Sequence, residues 1–470
     1  MSNQASLGEI SESKSSNRRD KVDSKNKGYK KVRIDPKKVN IPVDWDFKTL
    51  REFSDKVTDG THQTPDYVDE GIRFLSTKNL VPHSENFDFS DYVKYISEDE
   101  HKDLIERCRP ENGDLLVSKC GTIGRSQLIR NDIEFSIFVG LALVKLQKAD
   151  VNGTYLEEFV NSKPIRKVLQ SRSPGSTRNT LNIGSLEGLE VPIPPISEQR
   201  RIASVLYNVD QAIQKTEEII EQTQRVKKGL MQDLFTEGYC DHKDTKELFF
   251  GEIPEDWKFV PLEECAEVTK LAGFEYTNQF EEDEEGNIYA LTAVSLKNNK
   301  LNISKETKRI SREKAEELDR SKLREDDVAF TYIGAYIGEC AYIPESEKYH
   351  LGPNVAKISP NSELFGKFLH KALQTSLLNK QIRARVSSTG QSALSMTKIR
   401  QLKVPIPEED EQKEIVRALE SFEEEIEKYK EEKKQLQRIK KGLMQDLLTG
   451  KVRTKDKDLE VLDEVLEVEE

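Results

Sequence analysis

Two stretches of this chain carry many basic side chains and no acidic ones. The first runs from residue 159 to 186 and the second from residue 364 to 407, in a chain with 85 acidic residues. Lysine and arginine neutralise the phosphates of a nucleic acid, and small polar side chains can hydrogen-bond to base edges. Both kinds occur here, in SRSPGSTRNTLNI and SSTGQSALSMTKI. The alternative is an amphipathic helix that buries its apolar face and turns its basic side chains to solvent.

Three further polar segments of the first half are candidates for contacts with DNA. They are the loop DGTHQTP, the turn STKNL and the glycine-containing turn SKCGTIGRS. With the two acid-free stretches, they give this set of candidate DNA-binding residues: Thr61, His62, Gln63, Lys78, Asn79, Lys119, Arg125, Lys163, Arg166, Lys167, Arg172, Arg178, Asn179, Lys380, Arg383, Arg385, Gln391 and Lys398. Lys367, Lys371, Arg400 and Lys403 are the other basic residues of the second stretch.

The sequence contains no recognisable catalytic pattern. A Walker A motif and the Asn-Pro-Pro-aromatic motif of amino-methyltransferases are absent. The glycines of TYIGAYIGE have the wrong spacing for a dinucleotide-binding loop. His62, His83, His101 and His350 are isolated, which favours surface or turn histidines over metal ligands. We therefore expect no catalytic residue, no metal site and no cofactor in this chain.

The elements that must position these residues are two long helices, present as a repeat. VPIPPISEQRRIASVL begins one copy at Val191 and VPIPEEDEQKEIVRAL begins the other at Val404, an offset of 213 residues. The prolines forbid a helix, and an apolar stripe with a spacing of three and four follows them. Each helix has about 40 residues and a length of about 60 Å. A narrow stripe flanked by charges is typical of a coiled coil, and the other copy is the expected partner. The alternative is a pair of solvated surface helices.

The duplication extends to the globular parts. IPVDW at Ile41 returns as IPEDW at Ile253, whereas the loop DGTHQTP is replaced by GFEYTNQF. In the first part we predict a helical stretch from Trp45 to Asp55, a strand from Ile72, two strands around Gly121 and Gly124, and a helix over 154–170. These elements give an α+β fold. The predicted segments are a disordered basic arm (1–38), a first domain (39–190), a helix (191–238), an unstructured linker (239–252), a second domain (253–403), a helix (404–451) and an acidic tail (452–470).

Composition narrows the class of protein. Charged residues make up 34% of the chain and the net charge is −12, so the distribution of basic residues, rather than their sum, indicates a nucleic-acid partner. The five cysteines have no C-x-x-C pair, which favours free thiols in a reducing compartment. The polar N-terminus and the lack of a long apolar run predict a cytoplasmic protein without a signal peptide or membrane span.

The repeated phrases SEQRRIASVL and KKGLMQDLFTEG, their partners DEQKEIVRAL and KKGLMQDLLTG, and the IP-x-DW openings resemble one known family. The chain is similar to the DNA-specificity subunits of Type I restriction–modification enzymes, over residues 41 to 451. The resemblance implies two target-recognition domains separated by an antiparallel intramolecular coiled coil, each binding half of a bipartite double-stranded DNA sequence in the major groove. It also implies a non-catalytic chain with no cofactor of its own.

The resemblance further implies partner subunits. Two modification subunits would carry S-adenosylmethionine, and restriction subunits would use ATP and Mg²⁺ for translocation and cleavage. The helix residues expected to serve subunit docking are Gln199, Ile202, Leu206, Leu230, Leu234, Gln412, Ile415, Leu419, Leu443 and Leu447. Two competing hypotheses are a coiled-coil scaffold whose globular domains bind protein, and a self-contained nuclease.

Overall fold

The computed structural model describes residues 28–34, 37–90, 93–146, 150–173, 179–271, 282–283, 285–386 and 392–454. The chain divides into two compact units. Residues 1–216 and 432–470 form the first unit, and residues 217–431 form the second. Each long helix therefore contributes one segment to each unit. In the described part of the chain, no helix combines the length and the apolar character needed to cross a membrane.

The first unit contains two four-stranded sheets and two antiparallel pairs. The pairs are β1 with β2 and β3 with β12; the sheets have the orders β4-β11-β8-β9 and β10-β6-β7-β5, in which only β10 and β6 are parallel. The strands are β1 Tyr29–Ile34, β2 Lys37–Pro42, β3 Asp46–Thr49, β4 Ser54–Asp59, β5 Tyr67–Val68, β6 Ile72–Leu75, β7 Lys94–Ile96, β8 Leu115–Ser118, β9 Ser126–Leu128, β10 Phe135–Ile137, β11 Leu141–Leu146 and β12 Glu190–Ile193.

The helices of the first unit lie against these sheets. They are α1 Glu98–Arg107, α2 Gly153–Asn161, α3 Lys163–Ser171, α4 Ile183–Glu187 and the first part of the long helix α5 Ile196–Thr236, with 3₁₀ turns at Leu50–Phe53 and Thr77–Asn79. The predicted helix over 154–170 is two helices. Pro164 cannot continue α2, because it lacks an N–H and its ring clashes with the preceding turn, so it lies in the first turn of α3 instead. The predicted helical stretch after Trp45 is wrong, since β3, a 3₁₀ turn and β4 occupy it.

The second unit repeats most of this topology. Its sheets have the orders β16-β23-β20-β21 and β18-β17-β22-β19, with the pairs β13-β14 and β15-β24. In the second sheet β17 and β22 are parallel, as β6 and β10 are, but the fourth strand β19 pairs with β22, whereas β5 pairs with β7. The strands are β13 Thr245–Leu248, β14 Gly251–Pro254, β15 Lys258–Pro261, β16 Ala266–Lys270, β17 Ile288–Leu291, β18 Arg309–Ile310, β19 Lys322–Leu323, β20 Val328–Thr331, β21 Cys340–Tyr342, β22 Tyr349–Leu351, β23 Val355–Pro360 and β24 Lys403–Ile406. The helices are α6 Leu262–Cys265, α7 Arg312–Glu317, α8 Gly366–Ala372, α9 Ser376–Arg385, α10 Met396–Arg400 and α11 Glu409–Leu447, with 3₁₀ turns at Ala293–Asn299 and Asp319–Ser321.

The two long helices have 41 and 39 residues, close to the length predicted from the repeat. In the first unit, Ile202 and Leu206 near the start of α5 share one core with Leu447 and Leu448 at the end of α11 and just beyond it. In the second unit, the start of α11 shares a core with the end of α5 in the same way. Within each unit the two helix segments therefore run antiparallel, which confirms the predicted arrangement.

Two segments predicted to lack structure contain hairpins. Strands β1 and β2 begin at Tyr29, within the predicted disordered arm, and β13 and β14 occupy the predicted linker. Each hairpin leads directly into one IP-x-DW phrase, so the duplication begins earlier than the sequence similarity suggested. The arm up to residue 27, the loop GFEYTNQF and the tail from residue 455 lie outside the described residues.

Candidate nucleic-acid interface

In the first unit a glycine turn, a short helix and a loop meet beside strands β8 and β9. The turn contains Gly121 and Gly124, whose positive φ angles of 65° and 78° favour glycine. A Cβ atom on Gly124 would lie 3.1 Å from the Cδ1 atom of Leu169, so the turn lies against α3. Thr180 forms a bridge with Cys120 at the start of the turn. Three segments that are distant in sequence thus form one local surface.

Basic side chains concentrate on this surface. Burial lowers the pKa of Arg125 on the turn, and the nearby charge of Arg166 on α3 lowers it further; no acidic group offsets this. Lys163 and Lys167 on the same helix are exposed. The positive charge of Arg166 disfavours the charged form of the Arg125 guanidinium. A bound phosphate would relieve that repulsion, which makes this surface a candidate anion-binding surface.

The second unit contains the same arrangement with different residues. Its turn joins β20 to β21, and a Cβ atom on Gly338 would lie 3.6 Å from the Cγ2 atom of Ile382 on α9. The backbone N–H of Gly334 donates to the carbonyl of Ser392, at 3.1 Å, so a loop completes the surface here as well. Lys380 and Arg383 are exposed on α9. The candidate surface is therefore present twice, once in each unit.

The Thr61 loop of the first unit is positioned by the chain beneath it. A Cβ atom on Gly60 would lie 2.0 Å from the carbonyl oxygen of Ile137, so only glycine fits this close approach. Thr61 donates its backbone N–H to that carbonyl and accepts from the N–H of Val139. The side chains of His62 and Gln63 are exposed beyond it. The chain thus forms a loop here that presents these side chains, as the sequence predicted, and hydrogen bonds hold its base.

Asp59 supports this loop from inside. Its carboxylate oxygens lie 2.5 Å from the Nζ of Lys119 and 2.6 Å from the guanidinium of Arg107. Burial would raise the pKa of Asp59, but the hydrogen bond and charge of Lys119 outweigh burial and lower the pKa. His62 Nε2 lies 3.4 Å from the same carboxylate. Lys119 is 5% exposed, so it serves this internal ion pair and is not presented to DNA.

The structure gives four other candidates internal roles. Asn79 is fully buried; its side-chain oxygen accepts from Ser76 and its amide donates to the carbonyl of Asp88. Arg172 donates to the carbonyls of Ser185 and Gly188, Arg385 to that of Gln381, and Lys398 to that of Arg385 at the end of α9. Arg172, Arg385 and Lys398 remain half-exposed despite these contacts. The other exposed or half-exposed candidates are Thr61, His62, Gln63, Lys78, Arg125, Lys163, Arg166, Lys167, Asn179, Lys380 and Arg383. Arg178 and Gln391 lie outside the described residues.

One basic cleft of the second unit was not predicted. Lys270, Arg320 and Arg400 line it together with Val268, Thr269 and Met396. Lys270 and Arg320 lie outside the acid-free stretch, so their sequence neighbours gave no signal. Only the fold places them beside Arg400.

The residues assigned to subunit docking are used within this chain. Ile202, Leu206, Ile415 and Leu419 have no exposed surface; Leu234 and Leu447 are buried, and Leu230 and Leu443 pack against the same cores. Gln199 and Gln412 are also buried. Gln199 donates to the carbonyls of Asp150 and Pro194, and Gln412 donates to those of Glu363 and Pro407. Val226 and Ile439, at equivalent places in the repeat, are 57% and 52% exposed on the two long helices.

Each unit also contains a buried tryptophan bonded to the start of a long helix. The Trp45 cluster consists of Trp45, Glu198, Arg453 and Asp44. Trp45 Nε1 donates to the carboxylate of Glu198 at 3.0 Å, and Arg453 bridges Glu198 and Asp44 with contacts of 2.8–2.9 Å. This cluster ties the segment after α11 to the start of the first domain. Arg453 therefore has a structural role, although the segment from residue 452 was predicted to be a tail.

The Trp257 cluster is its counterpart in the second unit and consists of Trp257, Glu411, His242 and Asp256. Trp257 Nε1 donates to Glu411 at 3.0 Å, and His242 lies 2.8 Å from Glu411 and 2.9 Å from Asp256. The backbone N–H of Tyr239 also donates to Glu411. The connector after α5 is therefore anchored, and the prediction that it is a free linker is wrong. Extra residues inserted after Glu237, next to Tyr239, would therefore disturb the Trp257 cluster and would not simply lengthen a flexible linker.

The two clusters should respond differently to pH. Burial would lower the pKa of His242, but the hydrogen bond to Glu411 and the charges of Glu411 and Asp256 outweigh it and raise the pKa. The stability from a raised histidine pKa is fully present below the unfolded pKa of about 6.5 and is lost as pH rises through the folded pKa. The pKa of Arg453 lies above its usual value, mainly because of its hydrogen bond to Glu198, so the Trp45 cluster keeps its charge.

We expect the second unit to lose thermal stability between pH 6 and pH 9, and the variant His242→Gln to lose less. Trp45→Phe and Trp257→Phe chains leave one tryptophan each, so fluorescence melting reports one unit at a time. Arg453→Gln, followed through Trp45, is the matched control and should lower stability equally at both pH values. An unchanged pH dependence in His242→Gln would contradict this role of His242.

Four histidines were predicted to lie at the surface or in turns. His62 is exposed and His83 lies in a turn with its side chain 16% exposed, whereas His101 and His350 are buried, so the prediction is wrong for the last two. In the described residues, His83, Glu158 and Asp210 bring ligand atoms within 4.8 Å of one another. The Nζ of Lys440 lies 2.5 Å from Asp210 and 3.2 Å from Glu158. The ammonium group of Lys440 therefore supplies positive charge beside these two carboxylates.

The sequence matches a known protein family over most of its length. The family model described as "Type I restriction modification DNA specificity domain" matches residues 42–225 and 254–438. The putative type I restriction enzyme MjaX specificity subunit of Methanocaldococcus jannaschii is 26% identical over 450 residues, which cover 92% of this chain and 98% of that protein. The MjaVIII specificity subunit of the same organism is 29% identical, over 89% of this chain and 95% of that protein.

Two solved structures share the fold. The Type I restriction–modification S subunit from M. genitalium has a TM-score of 0.53 at 14% identity and covers 88% of this chain and 98% of its own. A chain from a structure that addresses complex assembly and conformational transition of the type I R-M system has a TM-score of 0.54 at 14% identity, with coverage of 88% and 99%. The two matches of the family model begin at the last residue of each hairpin, Pro42 and Pro254, and end within the two long helices.

Proposed function

This chain belongs to the Type I restriction–modification DNA-specificity family, and we propose that each of its two units recognises one half of a bipartite double-stranded DNA sequence. Membership also makes it a specificity subunit, which is the non-catalytic component of such systems. The observation that carries the proposal is the duplicated surface of turn, helix and loop. Its scaffold is repeated, whereas the side chains on it differ between the units.

In this proposal, the basic residues of α3 and α9 hold the DNA backbone. Lys163, Arg166 and Lys167 contact phosphates in the first unit, and Lys380 and Arg383 do so in the second. The half-exposed Thr61 and the exposed Gln63 and Asn179 lie on loops of the first unit and are suited to hydrogen-bond to base edges. Phosphate contacts would position the protein on the DNA, and base contacts would determine which DNA sequence it recognises.

The proposed partners follow from the family. The chain assembles with two modification subunits, which bind S-adenosylmethionine, and with restriction subunits, which bind ATP and Mg²⁺; this chain itself carries no cofactor. The exposed apolar positions Val226 and Ile439 support docking of like partners, because they recur at equivalent places in the repeat. The competing scaffold hypothesis predicts protein ligands for the globular parts and no dependence of binding on DNA sequence.

Phosphate contact makes a quantitative prediction about salt. Each neutralised phosphate contributes about 0.9 to the slope of log K against log salt concentration. The triple variant Lys163→Gln, Arg166→Gln, Lys167→Gln should therefore bind random-sequence duplex DNA more weakly and flatten the slope by roughly 2.7. Binding of the full chain can be measured by fluorescence anisotropy at several salt concentrations.

Lys102→Gln is the matched control, because Lys102 is an exposed lysine of the first unit that pairs with Asp99 on α1. This variant should keep the wild-type slope. A triple variant with an unchanged slope would remove these residues from the interface. A triple variant that keeps its affinity but selects other sequences would show that they contact bases instead.

A further inference from the structure

The basic cleft of the second unit has a counterpart in the first unit that contains an acid. Strand pairing identifies the equivalent positions. Asp59 of β4 pairs with Ala142 of β11, and Lys270 of β16 pairs with Ala356 of β23. On their other side, Ala142 and Ala356 pair with residues of β8 and β20 that differ by the offset of 213 residues. An exposed lysine of the second unit therefore stands where the first unit has a buried carboxylate.

The two basic partners of Asp59 also have counterparts. The carbonyl of Lys119 accepts a backbone N–H from the loop that completes the first surface, at 2.8 Å, and the carbonyl of Tyr332 does the same in the second unit, at 2.9 Å. Tyr332 therefore takes the place of Lys119. Arg320 stands at the offset of 213 residues from Arg107. Of this ion-paired set, the second unit keeps the arginine alone.

The exchange of an acid for a lysine brings cationic groups together in the second unit. The Nζ of Lys270 lies 5.7 Å from the centre of the Tyr332 ring, which is a cation–π contact. Arg400 stands at the offset of 213 residues from Glu187, so a second acidic position has become basic. Its guanidinium donates to the carbonyl of Val268 at 2.9 Å, which positions it at the cleft. The lining that the structure describes contains three cationic side chains and no carboxylate.

This cleft adjoins the candidate DNA surface of the second unit. Tyr332, next to Lys270, directly follows β20 and begins the glycine turn. Helix α10, which contributes to the lining, follows the loop that is bonded to Gly334. Lys270 ends β16, at the place where the first unit leads into the Thr61 loop. All three basic side chains of the cleft are exposed, so a phosphate of DNA on this surface can reach them.

We propose that Lys270, Arg320 and Arg400, together the Lys270 cleft, bind a backbone phosphate of the DNA recognised by the second unit. The first unit lacks this contact, because Asp59 neutralises the equivalent place from within the protein. A phosphate offers several acceptor oxygens with negative charge, which suit two guanidinium groups and an ammonium group. The inference rests on the proposed function and adds that the two units hold the DNA backbone unequally.

Return of the acid to the second unit tests the proposal. Lys270→Asp places a carboxylate beside the two arginines, as in the first unit, and so removes the phosphate contact. Affinity for random-sequence duplex DNA should fall about tenfold, and the slope of log K against log salt concentration should flatten by roughly 0.9. Lys305→Asp, the same charge change at an exposed lysine of the same unit, should keep the wild-type slope.

A stability measurement separates the loss of this contact from unfolding. In the Trp45→Phe background, fluorescence melting follows the second unit through Trp257. Lys270→Asp should shift its melting temperature by no more than about 2 °C, because the change is exposed and the new carboxylate has arginines beside it.

The outcomes distinguish this inference from the proposed function. A Lys270→Asp chain with the slope and affinity of a salt-dependent wild type would overturn this inference alone, and so would equal losses in Lys270→Asp and Lys305→Asp. A wild-type chain that does not bind duplex DNA would overturn the proposed function as well. If inorganic phosphate at constant ionic strength stabilises the wild type while Lys270→Asp keeps the wild-type slope on DNA, the cleft binds free anions, which also contradicts the inference.

Discussion

The variant Glu411→Ala should destabilise the second unit by about 3–5 kcal/mol, because it removes one partner from a buried network of charges and hydrogen bonds. Glu411 is 6% exposed and accepts from Trp257, His242 and the backbone N–H groups of Tyr239 and Cys240. Without the carboxylate, the buried indole N–H of Trp257 and the imidazole of His242 lose their acceptor. Unsatisfied buried donors of this kind are costly.

The chain provides a direct readout of this effect. Its only two tryptophans are Trp45 and Trp257, one in each cluster. In a Trp45→Phe background, denaturant unfolding followed by fluorescence should show the loss for Glu411→Ala. Glu424→Ala, an exposed glutamate of the same helix, should stay within about 0.5 kcal/mol of the parent. The equivalent change Glu198→Ala should lower the stability reported by Trp45. Equal stability of Glu411→Ala and its parent would show that the cluster does not hold the connector.

Exchange of one recognition domain should change one half of the target sequence completely and leave the other half unaltered. The proposed exchange replaces residues 42–190 with the matching region of a relative and keeps both long helices. The candidate surfaces of the two units are built from separate turns, helices and loops, so each can change without the other. Selection of bound duplexes from a random pool, with the assembled complex, gives both halves at once.

The parent chain, assembled with the same subunits, is the control for that exchange. Changes in both half-sites after exchange of one domain would contradict independent recognition.

The duplication allowed the long helices to be predicted with accuracy. Two copies of one apolar stripe define the helix bounds and the partner at once, and their antiparallel packing follows from the repeat. The glycine turns between strands were also predicted, because Gly121 and Gly124 interrupt two apolar runs. Local patterns of this kind predict structure well, because the fold itself requires the apolar stripe and the turn glycines.

Side-chain roles were harder to predict, because charge in a sequence does not show its partner. Lys119 and Lys371 belong to basic segments, but each is buried against an acid that is distant in sequence, Asp59 and Glu423. Asn79 lies in a polar turn that the fold buries. The stripe residues of the helices were assigned to other subunits, whereas this chain's own domains cover them.

The sequence itself contains a signal for the two tryptophan clusters. Trp45 and Trp257 fall at equivalent positions, and so do Glu198 and Glu411. A residue pair that is kept in both halves of a diverged duplication indicates a shared structural contact. The cationic partner of each glutamate could not be predicted in this way, because it differs between the clusters. It is Arg453 in the Trp45 cluster and His242 in the Trp257 cluster.

The central claim is that two separate units of one chain recognise the two halves of one DNA sequence. Mapping of methylated bases across the genome of a host that carries the chain with its modification and restriction subunits tests this most directly. We expect one methylated motif with two specified parts and an unspecified spacer of constant length. Methylation at this motif should disappear when the gene for this chain is deleted. A single uninterrupted motif, or methylation that persists without this chain, would contradict it.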